Sequence, residues 1–252
     1  MPRGKLSLVG LGLWPPRDLT IGGLAAARSA DEAYIETYTS PLGLKVEELE
    51  RLVERKLKPL SREDLEDRAV LIERAAKFRT ALLCPGDPLV ATTHLALVLE
   101  ASKRGIDVEV FNAPSIVTAA FTRLGLHIYK LGAVTTITLG GLSERVAEQI
   151  QGATSRSLHS LLLLEADVAS GRFVNPRRAL SLLIEAGLVS EKSKVVVLCR
   201  LGWPSERIFF GEVADVASCD FGLPPHSVII LGPLHFTERD ALDRFRVCGR
   251  GY

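Results

Sequence analysis

The chain has 252 residues, of which 47% are hydrophobic and 24% are charged, a composition typical of globular proteins that bury a core. Its 31 basic and 30 acidic residues leave a net charge of +1. No basic stripe with interleaved aromatic residues occurs, so we expect no electrostatically driven binding of nucleic acid. The length allows one large α/β domain or two of ordinary size.

Composition and patterning predict a cytoplasmic protein without membrane contact. Residues 1–5 lack the apolar segment of a signal peptide, and the longest aliphatic run, at residues 161–164, is far too short to cross a bilayer. No cysteine belongs to a CxxC pair or a His/Cys ligand pattern, so we expect buried thiols in a reducing compartment and no structural zinc. The four cysteines are Cys84, Cys199, Cys219 and Cys248.

Short apolar segments alternate with longer amphipathic ones, the pattern of βαβ units around a largely parallel sheet. In the first half, Thr20 is a typical helix N-cap, and Ser61 with Asp64 forms a capping-box pattern. The predicted strands cover residues 5–9, 33–37, 80–84 and 107–111, and the predicted helices cover residues 21–30, 44–56, 61–77 and a segment from 95.

A break at Asn112-Ala113-Pro114 is predicted to separate a domain of residues 1–112 from one of residues 113–252. In the second domain, Ser143 and Asn175 are expected helix N-caps, the latter followed by proline at the first helical position. The predicted strands cover residues 134–139, 160–165, 194–199, 208–210 and 227–231, and the predicted helices cover residues 115–124, 143–155, 176–186 and a segment from 237.

The segment from residue 84 to residue 94 is the most informative part of the sequence. Pro85 and Pro88 enclose Gly86-Asp87, and a segment with two prolines cannot continue a central strand, so the chain must leave the sheet there. A loop that leaves the carboxyl end of a strand and enters a helix is where open α/β sheets bind ligands. A stiff turn would explain its first residues but not the Ala-Thr-Thr-His that follows.

A second loop, Gly10-Leu11-Gly12, follows the first predicted strand. It is not a dinucleotide-binding fingerprint, because Pro15 occupies the third glycine position and no acidic residue closes a second strand at the usual spacing. No GxxxxGK[ST] phosphate loop occurs either. The sequence therefore gives little support to binding of nucleoside di- or triphosphates.

Short motifs along nearly the whole chain form a combined pattern. They are Gly10-Leu11-Gly12-Leu13, Asp18-Leu19-Thr20, Glu36-Thr37-Tyr38-Thr39-Ser40, Pro85 to His94, Ala113-Pro114-Ser115-Ile116, Gly125-Leu126-His127-Ile128-Tyr129-Lys130, Leu161 to Glu165, Val195 to Arg200 and Pro224-Pro225-His226. Together they resemble the diphthine synthases, methyltransferases of the diphthamide pathway within the tetrapyrrole-methylase superfamily. Residues 85–94 and 125–130 carry the motifs specific to that family.

The resemblance implies an α/β fold made of two α/β domains of the tetrapyrrole-methylase type, with a donor-binding cleft between them, and a homodimer. It also implies that S-adenosylmethionine binds as co-substrate. The residues that match the donor-binding positions of the family are Leu13, Asp87, Val90, Ser115, Ile116, Leu164, Leu201 and His226.

The implied substrate is translation elongation factor 2. The amino group of its 3-amino-3-carboxypropyl-modified histidine would be methylated repeatedly, giving diphthine. Two alternatives remain open: a related methyltransferase acting on a tetrapyrrole or ribosomal RNA, and a non-catalytic dimer that binds S-adenosylmethionine. The near-neutral charge argues against RNA, and the motifs at residues 91–94 and 125–130 argue against a tetrapyrrole.

Methyl transfer to an amine requires few chemical groups from the protein. The methyl carbon is already activated by the positive sulfur, so we expect no metal, and alignment alone can account for roughly 7–11 kcal/mol of the barrier. The sequence identifies no catalytic residue, although Glu165 or Asp167 could accept the proton of the amine or could simply be solvated. His127 is expected to be a hydrogen-bonded structural histidine, and His159 and His235 show no pattern that indicates a site.

Four residues of the loop at 84–94 have two interpretations each. Asp87 could bond the donor, brace its own turn, or do both. Thr92, Thr93 and His94 could cap the helix that follows, or they could contact the modified histidine or its carboxylate, aided by the helix dipole.

Overall fold

The computed structural model describes residues 4–67 and 69–246. Contacts between Cα atoms group the chain into two compact units, Met1–Ser115 and Ile116–Tyr252. The predicted junction after residue 112 falls among the last residues of the first unit. Each unit has its own sheet and its own hydrophobic clusters.

The first unit is built on a five-stranded sheet with the strand order β3-β2-β4-β1-β5, in which the paired strands are parallel, as predicted for this half of the chain. The strands are β1 (Lys5–Gly10), β2 (Glu32–Glu36), β3 (Leu57–Leu60), β4 (Arg79–Cys84) and β5 (Asp107–Phe111). Strand β3 was not predicted, and it lies at the edge of the sheet, where Pro59 is tolerated.

Two predicted helix caps of this unit are confirmed. The Thr20 hydroxyl accepts a hydrogen bond from Gly23 N at 3.1 Å, and Ser61 N donates to Asp64 Oδ2 at 2.8 Å. One helix ends before the predicted position 56, because Glu54 has a left-handed φ of 56°. The helices are α1 (Pro15–Asp18), α2 (Ile21–Ser29), α3 (Val46–Val53), α4 (Arg62–Asp67), α5 (Ala69–Ala75) and α6 (Leu95–Lys103).

Successive residues of β4 point to separate cores on the two faces of this sheet. Leu82 belongs to the same buried cluster as Leu97 of α6, whereas Leu83 belongs to the same cluster as Ala27 of α2. The helices that follow the neighbouring strands β1 and β4 therefore lie on opposite faces of the sheet.

The second unit contains a mixed sheet with the strand order β11-β10-β12-β7-β6. Its strands are β6 (Leu131–Ile137), β7 (His159–Leu164), β10 (Lys194–Cys199), β11 (Arg207–Glu212) and β12 (His226–Ile230), with a small hairpin of β8 (Ala166–Asp167) and β9 (Arg172–Phe173). The prediction of a largely parallel sheet is wrong here. Strands β6 and β7 are parallel, but β12 is antiparallel to β7 and β10, and β10 is antiparallel to β11. The segment 200–206 is too short for the crossover that a parallel pair requires.

The helices of this unit begin close to the predicted positions. Ser143 Oγ accepts a hydrogen bond from Val146 N at 3.4 Å, and Asn175 Oδ1 accepts one from Arg177 N at 2.9 Å, so both predicted caps are confirmed. The helices are α7 (Ile116–Leu124), α8 (Glu144–Thr154), α9 (Pro176–Glu185), α10 (Val213–Val216) and α11 (Phe236–Asp243), and a 3-10 turn covers Ile128–Lys130.

Two of the cysteines are buried as predicted, and a third is not fully so. Burial raises the pKa of the Cys84 thiol well above its ordinary value and that of Cys199 to about 12. Cys219 is half-buried, and Cys248 lies outside the described residues. In the part of the chain that the structure describes, no helix is both long and apolar enough to span a membrane.

Candidate functional site

The candidate site of the first unit is the carboxyl edge of its sheet, where the loops after β4, β1 and β5 are neighbours. Because the helices after β1 and β4 lie on opposite faces, the chain continues from the two loops to opposite sides of the sheet, and doubly wound sheets bind ligands at such a position. The predicted donor-binding residues of this unit are carried by these three loops. They are Leu13, Asp87, Val90 and Ser115.

Glycines allow these loops to approach each other closely. Gly12 N donates to Gly86 O at 3.1 Å, and Gly86 N donates to Gly12 O at 2.9 Å. A Cβ atom on Gly10 would lie 2.8 Å from Gly86 O and 2.8 Å from the Cβ of Ala113. Only glycine fits at position 10, since a side chain there would separate all three loops.

Asp18 is a positioning residue whose role the sequence analysis missed. Its Oδ2 accepts hydrogen bonds from Leu13 N at 2.8 Å and from Trp14 N at 2.9 Å. The carboxylate thereby fixes the backbone of Leu13, just beyond Gly12 with its left-handed φ of 69°. The Asp-Leu-Thr motif contained the signal, but spacing alone does not reveal which amides a carboxylate binds.

Asp87 connects the loop after β4 to the loop after β5. Its side chain is buried, and Oδ1 accepts a hydrogen bond from Leu89 N at 3.0 Å. Oδ2 accepts hydrogen bonds from Asn112 Nδ2 at 2.9 Å and from Ala113 N at 3.3 Å. The prediction that Asp87 braces its turn is confirmed, and its contact with a donor stays a prediction.

Val90, Ser115 and Ile116, three further predicted residues, differ in their accessibility. Val90, in the turn beyond Asp87, is 38% exposed and can be reached by a ligand. Ser115 is buried at the end of the first unit. Ile116 is half-buried at the start of α7 in the second unit.

The residues before α6 do not cap it with their side chains as one interpretation expected. His94 is at the N-cap position but makes no side-chain cap bond. Thr92 Oγ1 accepts a hydrogen bond from His94 N at 3.2 Å and donates one to Pro88 O at 3.0 Å. His94 is 2% exposed, so its ring faces the interior rather than a substrate, and Thr93 is exposed.

In the second unit, three predicted donor-binding residues meet at one edge of the sheet. Ser227 of β12 is paired with Leu163 of β7, and His226 is paired with Cys199 of β10. The end of β7, the end of β10 and the start of β12 are therefore neighbours. Leu164, Leu201 and His226 are at these positions, and all three are buried.

His226 has one ring nitrogen without a partner among the described residues. Nε2 lies 3.3 Å from Phe221 O, which can only accept a hydrogen bond, and Nδ1 has no partner. Burial lowers the pKa of this imidazole, which favours its neutral form. Arg200, with a left-handed φ of 52°, donates to Phe221 O at 3.1 Å and to Leu223 O, and so holds the loop that precedes β12.

The two candidate proton acceptors after β7 have different surroundings. Glu165 is half-buried, and its Oε2 accepts a hydrogen bond from Leu139 N at 2.7 Å. Asp167 accepts hydrogen bonds from the hydroxyl and the backbone N–H of Ser170, which lower the pKa of its carboxyl group. An acceptor with a lowered pKa is a weaker base, which argues against Asp167.

Glu238 is the centre of a buried polar cluster in the second unit. The carboxylate is fully buried and accepts hydrogen bonds from Lys130 Nζ at 2.5 Å and from the backbone N–H groups of His127 and His235, each at 2.9 Å. The Nε2 of His159 lies 3.1 Å from its Oε1. The structural role predicted for His127 is confirmed. The cluster itself, which His159 joins through its ring and His235 through its backbone, was not predicted. Their common partner lies far away in the sequence.

Comparisons with known proteins agree with this architecture. The family model described as Tetrapyrrole (Corrin/Porphyrin) Methylases matches residues 5–217. Diphthine synthase of Methanocaldococcus jannaschii is 38% identical over 250 residues, covering 94% of this chain and 97% of that protein. Diphthine synthase of Archaeoglobus fulgidus is 36% identical over 242 residues, covering 95% of each chain.

A solved structure gives the same result for the fold. A crystal structure of diphthine synthase superposes with a TM-score of 0.88 at 35% sequence identity, covering 96% of this chain and 95% of that one. The similarity extends over both units rather than over one of them. The chain therefore belongs to the tetrapyrrole methylase family and, within it, to the diphthine synthases, which are S-adenosylmethionine-dependent methyltransferases.

Proposed function

We propose that this protein transfers methyl groups from S-adenosylmethionine to the amino group of the 3-amino-3-carboxypropyl-modified histidine of translation elongation factor 2, repeatedly, giving diphthine. The observation that carries the proposal is the agreement with diphthine synthases over 94% of the chain. The proposed substrate is a cytoplasmic protein, and we infer the same compartment for the enzyme.

The first unit is proposed to contact the donor through Leu13, Asp87, Val90 and Ser115. The close approach of Gly10, Gly12 and Gly86 supports this, because it leaves backbone rather than side chains at the carboxyl edge of the sheet. The exposed Val90 offers an apolar surface next to that edge.

For the second unit, the proposed contacts are Ile116, Leu164, Leu201 and His226. His226 supplies the supporting observation, since a buried nitrogen without a hydrogen-bond partner costs about 1–3 kcal/mol. Its neutral ring, with Nε2 donating to Phe221 O, leaves Nδ1 as an acceptor. An N–H or O–H group of the donor would satisfy it.

The bound donor supplies a methyl group that is activated by its positive sulfur. The task of the protein is to hold donor and acceptor in line and to exclude water, which we propose requires no metal. Burial of the acceptor amine in an apolar site lowers its pKa and favours the neutral form that attacks. Glu165 is the proposed recipient of the released proton, through its carboxylate or through water.

Transfer of a labelled methyl group to purified elongation factor 2 precursor tests this function. The precursor must carry the 3-amino-3-carboxypropyl group, and the unmodified factor, ribosomal RNA and a tetrapyrrole serve as controls. Label in the modified factor alone is the expected result, with the number of methyl groups counted by mass spectrometry. Label only in RNA or tetrapyrrole, or donor binding without transfer, would overturn the proposal.

We also propose that the protein acts as a homodimer without nucleic acid. Support comes from the resemblance to the family and from the net charge of +1. Light scattering coupled to size-exclusion chromatography checks the oligomeric state, and a mass equal to that of one chain would contradict it.

A further inference from the structure

Glu36 and His94 meet in the interior of the first unit, beneath the turn that follows β4. Glu36 is the last residue of β2, which pairs with β4, and His94 immediately precedes α6. Both are almost fully buried, with 1% and 2% exposure, and Nε2 of His94 lies 3.3 Å from Oε2 of Glu36. Thr39 N donates to the other oxygen, Oε1, at 2.7 Å. Oε2 has no hydrogen-bond partner within the described residues.

The contacts of the His94 ring determine where its hydrogen lies. Nδ1 is 2.9 Å from Pro88 O, and a carbonyl oxygen can only accept, so Nδ1 must carry a hydrogen. Nε2 faces the carboxylate of Glu36 at 3.3 Å, an ion-pair distance without hydrogen-bond geometry. Glu36 therefore packs against the Nε2 side of the ring, while Nδ1 donates to Pro88 O.

The turn between Pro88 and His94 is closed by its own polar groups. The Pro88 carbonyl accepts from His94 Nδ1 and from Thr92 Oγ1 at 3.0 Å, so two donors converge on one oxygen. Thr92 Oγ1 also accepts from His94 N at 3.2 Å. These bonds are additional to those of Asp87, which is tied to the loop after β5.

The backbone conformation of Ala91 indicates that this turn is strained and requires stabilising contacts. Its φ of 55° lies in the left-handed region, which costs a residue with a Cβ atom about 1–2 kcal/mol. Strained backbone of this kind persists where surrounding contacts over-determine it, often at ligand sites. The strained residue directly follows Val90, which is 38% exposed and is a proposed contact of the donor.

We propose that His94 and Glu36 are positioning residues for donor binding, which hold the turn of Asp87 to Ala91 through the Pro88 carbonyl. The inference rests on the proposed function and adds two residues to its site. It also gives a role to Thr92 and His94, which side-chain capping of α6 does not explain. His94 touches neither donor nor acceptor and acts through the backbone of Pro88.

A metal ion is the competing explanation for the same geometry. Ligand-type atoms of Glu36, Cys84 and His94 lie within 4.8 Å of one another. Structural zinc sites have four protein ligands, whereas this group among the described residues offers three. Glu36 and His94 already have partners that do not involve the thiol, namely Thr39 N and Pro88 O.

Two substitutions of His94 separate the two ring nitrogens. His94→Asn puts an amide nitrogen near the place of Nδ1 and keeps the bond to Pro88 O, whereas His94→Gln reaches toward Glu36 and loses that bond. We expect the dissociation constant for S-adenosylhomocysteine to rise about tenfold in His94→Gln, the equivalent of one hydrogen bond. In His94→Asn it should rise less than threefold (about 0.6 kcal/mol).

Thr92 and Glu36 provide further variants. Thr92→Val removes the second bond to Pro88 O and should weaken binding several-fold, and Thr92→Ser should restore it. Ser102→Ala is the matched control, because it removes a similar hydroxyl-to-carbonyl bond, from Ser102 to Val98 O at 2.8 Å, in the same helix region. Glu36→Gln can accept from Thr39 N and donate to Nε2, so donor affinity should be retained.

Calorimetric titration with S-adenosylhomocysteine, together with steady-state kinetics, provides the readout. A positioning role raises the dissociation constant and the KM for the donor, with unchanged binding stoichiometry and nearly unchanged kcat at saturating donor. General destabilisation would instead lower the stoichiometry and kcat. In ¹⁵N NMR of the imidazole groups, the His94 signal should report a hydrogen on Nδ1.

Four results would overturn the inference. One is wild-type affinity in His94→Gln, which would leave the proposed function intact. Another is a neutral His94 ring with a bare Nδ1, or stoichiometric zinc that is lost in His94→Asn. Absence of binding by the wild-type protein would overturn the proposed function and this inference together.

Discussion

Gly12 and Gly86 pair backbone to backbone across the loops that follow β1 and β4, with N–O distances of 3.1 Å and 2.9 Å. Both have left-handed φ values, 69° and 68°, which residues other than glycine rarely adopt. The pair couples Leu13 on one loop to Asp87 on the other. A disturbance of either loop should therefore affect both proposed donor contacts.

Gly10→Ala is predicted to weaken donor binding at least tenfold while the protein still folds. The added Cβ would lie 2.8 Å from Gly86 O and 2.9 Å from Pro88 Cδ, so the loops must separate. Overpacking of this kind also destabilises by about 1–3 kcal/mol. Calorimetry with S-adenosylhomocysteine and urea denaturation measure the two effects.

Gly105→Ala is the control for that experiment. Gly105 has a φ of 68° and open space around it, so alanine there should cost about 1–2 kcal/mol of stability without changing donor affinity. Equal affinities of Gly10→Ala and the wild-type protein would show that the close approach at residue 10 is irrelevant to the donor.

Asp87→Asn is predicted to lower both stability and donor affinity. The carboxylate accepts from Leu89 N, Asn112 Nδ2 and Ala113 N, and an amide would direct its own N–H groups at one of these donors. Loss of an acceptor in this buried position should cost about 1–3 kcal/mol, measured by urea denaturation. Asp243→Asn, at an exposed acceptor of Arg246, is the control. A folded Asp87→Asn protein with unchanged affinity would restrict Asp87 to bracing its turn.

Local features of the fold follow from the sequence, because their partners are close in the chain. The side chains of Thr20, Ser61, Ser143 and Asn175 cap their helices by accepting hydrogen bonds from backbone N–H groups within three residues. The direction of β10 does not follow in this way. A run of aliphatic residues is equally compatible with a parallel and an antiparallel pair. Only the short connection 200–206 indicates that β10 is antiparallel to β11.

The loops of the candidate site could be predicted from the sequence, but the long-range hydrogen bonds of the structure could not. Asp87 was identified, yet its bond to Asn112 spans 25 positions. Glu238 accepts hydrogen bonds from Lys130 Nζ, which is 108 positions away in the sequence, and from His127 N, which is 111 positions away. No periodicity or spacing rule connects residues so far apart, which is why the Glu238 cluster was not predicted.

Glu238→Gln is predicted to destabilise the second unit by about 1.5–3 kcal/mol, because it removes a charged acceptor of the Lys130 ammonium group. Burial alone would raise the pKa of Glu238, but the hydrogen bonds from Lys130 and the backbone lower it to about 2. A double-mutant cycle with Lys130→Met measures the coupling. Additive losses in the double mutant would contradict a direct interaction.

Stability is predicted to fall in two stages on acidification. Burial lowers the pKa of His159 below its ordinary 6.5. The unfolded chain therefore binds this proton first, and stability is lost as the pH falls below 6.5, by at most about 1.4 kcal/mol per pH unit for one group. Glu238, with its pKa lowered from 4.5 to about 2, stabilises the fold above 4.5 and loses this contribution between 4.5 and 2.

Urea denaturation across both pH ranges checks this prediction. In His159→Gln, which can still donate to Glu238, the loss of stability below pH 6.5 should be smaller than in the wild-type protein. His226, whose pKa is also lowered by burial, accounts for part of the slope that remains. An identical slope in His159→Gln would show that this imidazole does not contribute.

Glu165→Gln is predicted to slow the chemical step by about 10²-fold, with little change in affinity for S-adenosylhomocysteine. Glutamine can still accept from Leu139 N, so the structure should be retained while the proton acceptor is lost. Asp167→Asn is the matched control, because Ser170 already occupies that carboxylate and lowers its pKa. Single-turnover rates separate the chemical step from product release. An unchanged rate in Glu165→Gln would assign the proton to water, and a parallel loss of affinity would show that Glu165 supports the donor site instead.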